Sequence, residues 1–377
     1  MDFETLCVHP SQRFDEPTGA VVNPIYLTST FAHPGVGQST GYDYSRLQNP
    51  TREALEGTVC ALEGGDDCIA FASGMAAISC VFELLRPGSR IVSSWDLYGG
   101  TIRLFDGVTR KNGITVDSVD ASDLAAVEAA LGKGADMLFV ETPTNPTMVV
   151  SDIAALAELA HDAGALLVVD NTFLTPYFQR PLALGADLVV HSGTKYLCGH
   201  NDVICGFVVS GKSETSERLR YLIKTIGSGL SPLDSWLVTR GIKTLPLRME
   251  RHQQNALKIA HWLTECGNVT SVSYPGLESH PAHDLCLRQG TGFGGMITFH
   301  VANEDIASRA LERVRVIRFA ESLGGTETLI TYPLTQTHAD VDPAELSAKG
   351  IDGTMLRLSV GLESPRDLID DLERALA

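Results

Sequence analysis

The sequence predicts an α/β fold: a mainly parallel, seven-stranded sheet with helices on both faces, followed by a smaller α+β C-terminal domain. Three observations predict it. Between residues 68 and 209, short apolar runs alternate with helical patterns, which argues for parallel strands joined by helices. Two of the runs, Leu166-Leu167-Val168-Val169 and Leu188-Val189-Val190, are apolar without alternation, as in strands buried on both faces. After about residue 213 the texture changes to long helical patterns with few, scattered strands.

In chain order, residues 1–48 are rich in Pro, Gly, Ser and Thr and show little periodicity, so they read as an arm that stays loose unless it packs on something. Asn49-Pro50-Thr51-Arg52-Glu53 starts a helix, with a capping Asn, Pro at the first helical position and an acid in the first turn. Strands are expected at 68–72, 90–93, 114–119, 137–141, 166–170, 188–191 and 204–209. Helices are expected at 75–85, 102–109, 153–163 and from a Ser122 cap to residue 131. Further on, helical patterns cover 214–226 and 233–266, the second broken by Gly241 and Pro246. Strands near 269–273, 296–300 and 355–359, with helices at 306–314 and 368–376, form the smaller domain. The boundary is placed near residue 241, giving an arm (1–48), a larger domain (49–241) and a C-terminal domain (242–377).

Composition narrows the function classes. A net charge of −17 repels nucleic acid and anionic membrane. No apolar run approaches the length of a membrane span, and the first residues lack the pattern of a signal peptide. The eight cysteines contain no C-x-x-C pair and are expected to be reduced and mostly buried, in a cytoplasmic protein without a bound metal.

Two motifs match phosphate-binding patterns only as strings. Gly206 to Ser213 fits G-x-x-x-x-G-K-S and offers a nucleotide-binding alternative through Lys212. Its middle residues, Phe207-Val208-Val209-Ser210, are a strand and not a flexible loop. Gly290 to Gly295 fits G-x-G-x-x-G but precedes a strand where it should follow one; its glycines read as a mobile loop.

Other residues sit where chemistry is done. In open α/β sheets ligands bind outside the carboxyl ends of strands. Asp170 and Lys195 stand just there, after two buried runs. An acid and an amine so placed fit pyridoxal phosphate, with Lys195 bonded to the cofactor and Asp170 paired with its protonated ring nitrogen. The alternative is a capping Asp and a surface Lys. Ser73-Gly74-Met75 follows a strand and opens a helix, whose free N–H groups can hold phosphate or simply make a tight turn. Ser192 and Thr194 can add hydroxyls. Tyr98 follows another strand end and can stack on a flat ring. Asn145, held between Pro143 and Pro146, lies at the same edge, and Arg357 in a buried strand can fork a carboxylate or pair with an acid.

Taken together, these pieces resemble the Cys/Met-metabolism family of pyridoxal phosphate enzymes, the trans-sulfuration enzymes. The matching motifs are Tyr44-Ser45-Arg46, Asn49-Pro50-Thr51-Arg52, Ser73-Gly74-Met75, Tyr98-Gly99-Gly100, Glu141 to Pro146 and Asp170-Asn171-Thr172. They continue with His191 to Tyr196, Glu321 to Gly325, Thr337-His338-Ala339 and Arg357 to Glu363, in family order over nearly the whole chain. The resemblance implies an aspartate-aminotransferase-like fold (fold type I) and a homotetramer built from two active dimers. It implies Lys195 as Schiff-base lysine and later proton carrier, Asp170 at the pyridine nitrogen, and Tyr98 stacked and able to act as base. Gly74, Met75, Ser192 and Thr194 would hold the phosphate, joined by Tyr44 and Arg46 of the neighbouring subunit. Asn145, Ser322 and Arg357 would hold the substrate α-carboxylate.

The resemblance also bears on the reaction. Gly193 stands where many members carry Ala, which should loosen the backbone before the lysine. Gly100 stands where the methionine γ-lyase branch carries Cys, which counts against that branch. γ-Acting members tend to carry acids where this chain has Asp43 and Glu321; β-lyases tend to carry an aromatic at the second place. The expected function is therefore γ-elimination or γ-replacement on cystathionine or O-acylhomoserine, with a cystathionine or other C–S β-lyase as the alternative.

Overall fold

The computed structural model describes residues 1–9, 18–339 and 341–377. Its larger sheet contains β1 (Asp67–Phe71), β2 (Arg90–Ser94), β3 (Thr115–Val119), β4 (Met137–Glu141), β5 (Leu166–Asp170), β6 (Leu188–His191) and β7 (Gly206–Ser210). They lie in the order β1-β7-β6-β5-β4-β2-β3, and only β7 runs against the rest. The carboxyl ends of β1, β2, β4, β5 and β6 therefore meet along one edge.

Both faces of the central strands are covered, which is why β4 to β7 are apolar along most of their length, whereas the edge strand β3 carries Thr115, Asp117 and Ser118. Val189 and Val209 pack with Leu55 and Val59 of the helix Pro50–Glu63. Val168, Val190 and Val208 pack on the other face with Ala77, Ile78 and Val81 of the helix Gly74–Phe82.

The second sheet holds β8 (Val269–Ser273), β9 (Met296–Val301), β10 (Arg318–Phe319), β11 (Leu329–Thr331) and β12 (Met355–Ser359), in the order β10-β11-β12-β9-β8. All pairings but β10 with β11 are antiparallel. Ile297, Phe299, Leu356 and Leu358 pack there against Ile259 of the helix Leu245–Glu265 and Leu368 of the helix Pro365–Leu376.

Several local expectations are corrected. Gly241 does not break a helix: it lies inside Pro232–Ile242, and a Cβ there would meet Cys198 O. Pro246 sits in the first turn of Leu245–Glu265, where its missing N–H costs nothing, so the break falls at residues 243–244. The cap of the helix Leu124–Leu131 is Asp123, not Ser122, whose hydroxyl donates to Asp120 at 2.7 Å. The stretch 102–109 divides into an α-helix Gly99–Leu104 and a π turn Phe105–Thr109. The arm begins with the helix Phe3–Val8, which buries Cys7 and lays Phe3 edge-on to Tyr177 at 5.3 Å.

Neither string match survives as a phosphate loop. Phe207 to Ser210 lie within β7, and the Lys212 amine pairs with Asp187. The glycines at 290–295 are packed: Thr291 N donates to Phe178 O at 2.8 Å, and Tyr274 OH donates to Gly294 O at 2.9 Å. All eight cysteines are free, six of them buried. Among the described residues no helix is long and apolar enough to cross a membrane.

Candidate active site

Three strand ends supply the ring side of the site. Asp170 closes β5, and its Oδ1 accepts Thr172 N at 3.0 Å and Thr172 Oγ1 at 2.5 Å. Burial raises its pKa, while the two Thr172 bonds and the charges of His191 and Lys195 oppose the rise. Glu141 closes β4 in register with Asp170. It is held well above the usual carboxylate range, first by burial and next by the Asp170 charge. Glu141 Oε2 accepts Tyr98 N, from the loop after β2, at 3.0 Å. The Tyr98 ring lies over Gly100: a Cβ there would come 2.4 Å from Tyr98 Cε1 and 3.0 Å from Met75 Sδ. A Cys at 100 would push the ring aside.

The lysine follows β6 in a tight turn, with Lys195 N donating to Ser192 O at 3.2 Å. Its Nζ donates to Ser322 Oγ at 3.3 Å. Burial, and then the nearby Arg357 charge, lower its pKa to about 8. Beside it, Ser73 caps the helix Gly74–Phe82 by accepting Ala76 N at 3.0 Å. The N–H groups of Gly74 and Met75 precede that bond and belong to the open end of the helix. A Cβ at Gly74 would lie 3.0 Å from Ser192 Cβ, so the glycine lets the start of the helix approach the Ser192 segment closely. Thr194 Oγ1 donates to Cys205 O at 3.2 Å and accepts Cys205 N at 3.0 Å, so it reaches a phosphate only by turning from Cys205.

The second sheet supplies the other side. Arg357 of β12 is buried; its Nη1 donates to Asn145 Oδ1 at 2.6 Å and its Nη2 to Ser322 O at 3.1 Å. Its buried Nε has no hydrogen-bond partner among the described residues. Ser322 has a φ of +109°, a conformation that costs a non-glycine residue and persists where neighbours hold it. Glu321 is exposed, and its charge bears on both Lys195 and Arg357.

The structure thus brings together Lys195, Asp170, Tyr98, Asn145, Ser322 and Arg357, and sets Gly74 against Ser192. It does not bring in Asp43, Tyr44 or Arg46. Asp43 accepts Ser39 Oγ at 2.6 Å, while Arg46 sits 5.5 Å over the Tyr44 ring and donates to Lys224 O. Gly193 does not loosen its turn either. A Cβ there would come 2.3 Å from Phe207 Cε2 and 2.6 Å from Cys205 Sγ, so the neighbours fill the space. Sequence reasoning missed Glu141 and Thr172. The available signals were an acid ending a wholly apolar strand and an Asp with Thr two residues on, a local side-chain turn.

The open N–H groups of a helix N-terminus, a buried carboxylate, a part-buried amine and an orphaned guanidinium nitrogen fit pyridoxal phosphate and an α-carboxylate. The family model of the Cys/Met metabolism PLP-dependent enzymes matches residues 4–377. The chain belongs to this family. It is 46% identical over 376 residues to cystathionine gamma-lyase of Bacillus subtilis (strain 168), across 100% of this chain and 99% of that one. It is 47% identical over 374 residues to cystathionine beta-lyase of Lactococcus lactis subsp. cremoris (strain MG1363), across 99% and 98% of the two chains. Cystathionine gamma synthase from Xanthomonas oryzae pv. oryzae, solved in complex with cystathionine, superposes with a TM-score of 0.97 at 40% identity, covering 100% of this chain and 98% of that one. As a member of the Cys/Met metabolism family the chain is a pyridoxal phosphate-dependent enzyme of fold type I.

Proposed function

We propose that this enzyme catalyses γ-elimination or γ-replacement on cystathionine or an O-acylhomoserine. The observation that carries the reading is Glu321, an exposed acid at the residue next to Ser322, whose Oγ accepts Lys195 Nζ at 3.3 Å. Cystathionine has a second amino-acid head beyond its sulfur. A carboxylate placed there binds the distal ammonium and holds the chain with its γ carbon over the cofactor. Cystathionine β-lyase is the second reading, supported by the 47% identity to the Lactococcus enzyme.

When bound, pyridoxal phosphate supplies the electron sink for charge that develops on the substrate. The chain's own residues do the rest. Lys195 Nζ holds the cofactor and moves protons at the substrate carbons, a task that its lowered pKa suits. Asp170 offers Oδ2 to the ring nitrogen, since both Thr172 bonds fall on Oδ1. Tyr98 stacks on the ring and serves as a second base. Gly74, Met75, Ser192 and Thr194 hold the phosphate. Arg357, with Asn145 and Ser322, forks the α-carboxylate. Asp43, Tyr44 and Arg46 complete the site of a neighbouring subunit in a cytoplasmic homotetramer of two active dimers. Residues 1–48 form the arm, 49–241 the cofactor domain and 242–377 the C-terminal domain.

The test is a count of keto acids: 2-oxobutyrate reports γ-elimination and pyruvate reports β-elimination. An exposed ion pair contributes about 0–1 kcal/mol and a partly desolvated one more. Glu321→Tyr and Glu321→Val should therefore lower γ-chemistry about tenfold relative to β-elimination. If the native enzyme gives almost only pyruvate from cystathionine and ignores O-acylhomoserine, the β-lyase reading replaces this one.

A further inference from the structure

Arg46 lies in the arm outside any helix or strand, yet the peptides on either side of it are gripped from one point. Arg52, in the first turn of the helix Pro50–Glu63, is buried. Its Nη1 donates to Ser45 O and its Nη2 to Leu47 O, both at 2.9 Å. Ser45 and Leu47 are the residues that flank Arg46. A planar guanidinium fixes two acceptors at once in a way that an ammonium does not. Burying it is costly unless its donors are met, and here the backbone of the arm meets them.

The fork itself is held. Nη1 also reaches Leu230 O at 3.4 Å, and Nε lies 3.5 Å from Glu56 Oε1 one turn along the helix. Glu56 is buried too; its Oε1 accepts Ala70 N of β1 at 3.0 Å and its Oε2 accepts Arg220 Nη1 at 2.8 Å. A Cβ at Gly229 would come 3.0 Å from Arg52 Nη1, so the glycine leaves the guanidinium its room. Arg46 donates from its own Nη1 to Lys224 O, near the end of the helix Ser213–Ile226, and its side chain stays exposed.

We propose that Arg52 is a positioning residue that acts across the subunit boundary: by holding the carbonyls on either side of Arg46, it aims Arg46 at the cofactor phosphate of the neighbouring subunit. The inference rests on the role proposed above for Arg46. Arg52→Lys keeps a charge beside Glu56 but offers one point in place of a fork, and so releases one of the two peptides. Glu56 keeps Arg220 and Ala70 N in that variant, so the helix and β1 stay joined.

Fluorescence titration of pyridoxal phosphate into the apo-protein should give Arg52→Lys a dissociation constant about tenfold above the wild type. A constant unchanged from the wild type overturns the proposal. Which subunit carries the defect is read in hybrids of Arg52→Lys with Lys195→Ala, isolated through two affinity tags. These hybrids turn over only at sites whose lysine comes from the Arg52→Lys chain. Where such a site faces a Lys195→Ala chain, the arm it receives is native. Those sites should be half-saturated at a cofactor concentration within about threefold of the wild type. If Arg52 served only the fold of its own chain, every active site would stay as weak as in Arg52→Lys alone, and that result overturns the proposal. Should the lysine variant fail to fold, Arg52→Gln, which meets one carbonyl, takes the same two tests. Arg46→Ala is run beside them. If it neither weakens cofactor binding nor is rescued in the same hybrids, the role given to Arg46 fails, and the proposal falls for that separate reason.

Discussion

The edge of the larger sheet and the N-terminal arm treat polar and apolar residues in opposite ways. At the edge, Asp170, Glu141 and Asn145 are buried and bonded inside the chain. In the arm, Tyr44 and Arg46 are exposed, and so are apolar residues that a lone chain would gain by covering: Val21 is 83% accessible and Leu27 79%. Beyond its first helix the arm has no helix or strand among the described residues, and it is held by a bridge from Thr30 to Tyr44 and by scattered hydrogen bonds such as Tyr26 N to Thr51 Oγ1 at 2.9 Å. The edge is complete in one chain because each of its residues is fixed by a strand end. The arm is tied to the chain mainly through its backbone, as where Arg52 donates to Ser45 O and Leu47 O at 2.9 Å, while the Tyr44 ring and the apolar side chains at 21 and 27 are left open to something else. That contrast is what experiments should attack.

The largest effect is expected at the edge. Lys195→Ala should lower turnover about a thousandfold or more, since it removes the group proposed to move protons, while the apo-protein keeps its fold. Steady-state rates with a thermal melt of the same sample check this; normal turnover would end the reading of the edge as the catalytic centre. The arm comes next. A charge-assisted bond to phosphate contributes about 1.5–3 kcal/mol, so Arg46→Ala should raise the cofactor dissociation constant about ten- to a hundredfold. Mixed with Lys195→Ala under subunit exchange, it should recover part of the activity, because one hybrid site then holds both native residues. Verified hybrids without recovery would place the arm's function elsewhere.

Asp170→Asn should cost about tenfold in rate or more, because a carboxylate beside a pyridinium raises the ring pKa by about 1–3 units. Asn keeps the shape, so a loss that tracks a lower melting temperature would mark Asp170 as structural.

The smallest effect separates the two regions most cleanly. The Lys195 amine has its pKa lowered to about 8 by burial and by Arg357, both supplied by its own chain. Only the unprotonated amine attacks the cofactor aldehyde. The rate at which apo-protein recaptures the cofactor should therefore rise with pH, fall about tenfold per unit well below pH 8, and change only about twofold between pH 8 and 9. Arg46→Ala should leave that midpoint in place. A midpoint that moves with the arm would mean the two regions are coupled through the amine.

Much of this was legible in the sequence, for physical reasons that differ by residue. The central strands β4, β5, β6 and β7 read out because burial on two faces demands a nearly uninterrupted apolar run. Asp170 and Lys195 stand out because polarity returns abruptly where those runs end. Other features were hidden. β10 and β11 have two and three residues, too few for any period to register. The helix His283–Gln289 is under two turns and is mostly polar. Glu141 stays hidden because an acid closing a strand looks like any exit from a sheet until its backbone donor, Tyr98 N, is located. The helix Phe3–Val8 escaped because its anchor, Cys7, packs against a part of the chain far away in sequence.

The turn at Gly193 has a consequence for how such a gene can change. The volume a methyl group would occupy is taken by Phe207 of β7 and by Cys205, both buried. Alanine at 193 becomes workable only after both side chains have given way, so the changes have a required order. A glycine with these residues at 205 and 207 and an alanine with smaller ones are each sound, and the direct step between them is closed in one direction. A chimera joined between residues 193 and 205 that brings Ala to position 193 against this chain's Cys205 and Phe207 would meet the collision even though every residue in it came from a working parent. Shuffling experiments on this scaffold should therefore lose crossovers in that interval, beside the lysine, and tolerate them outside it.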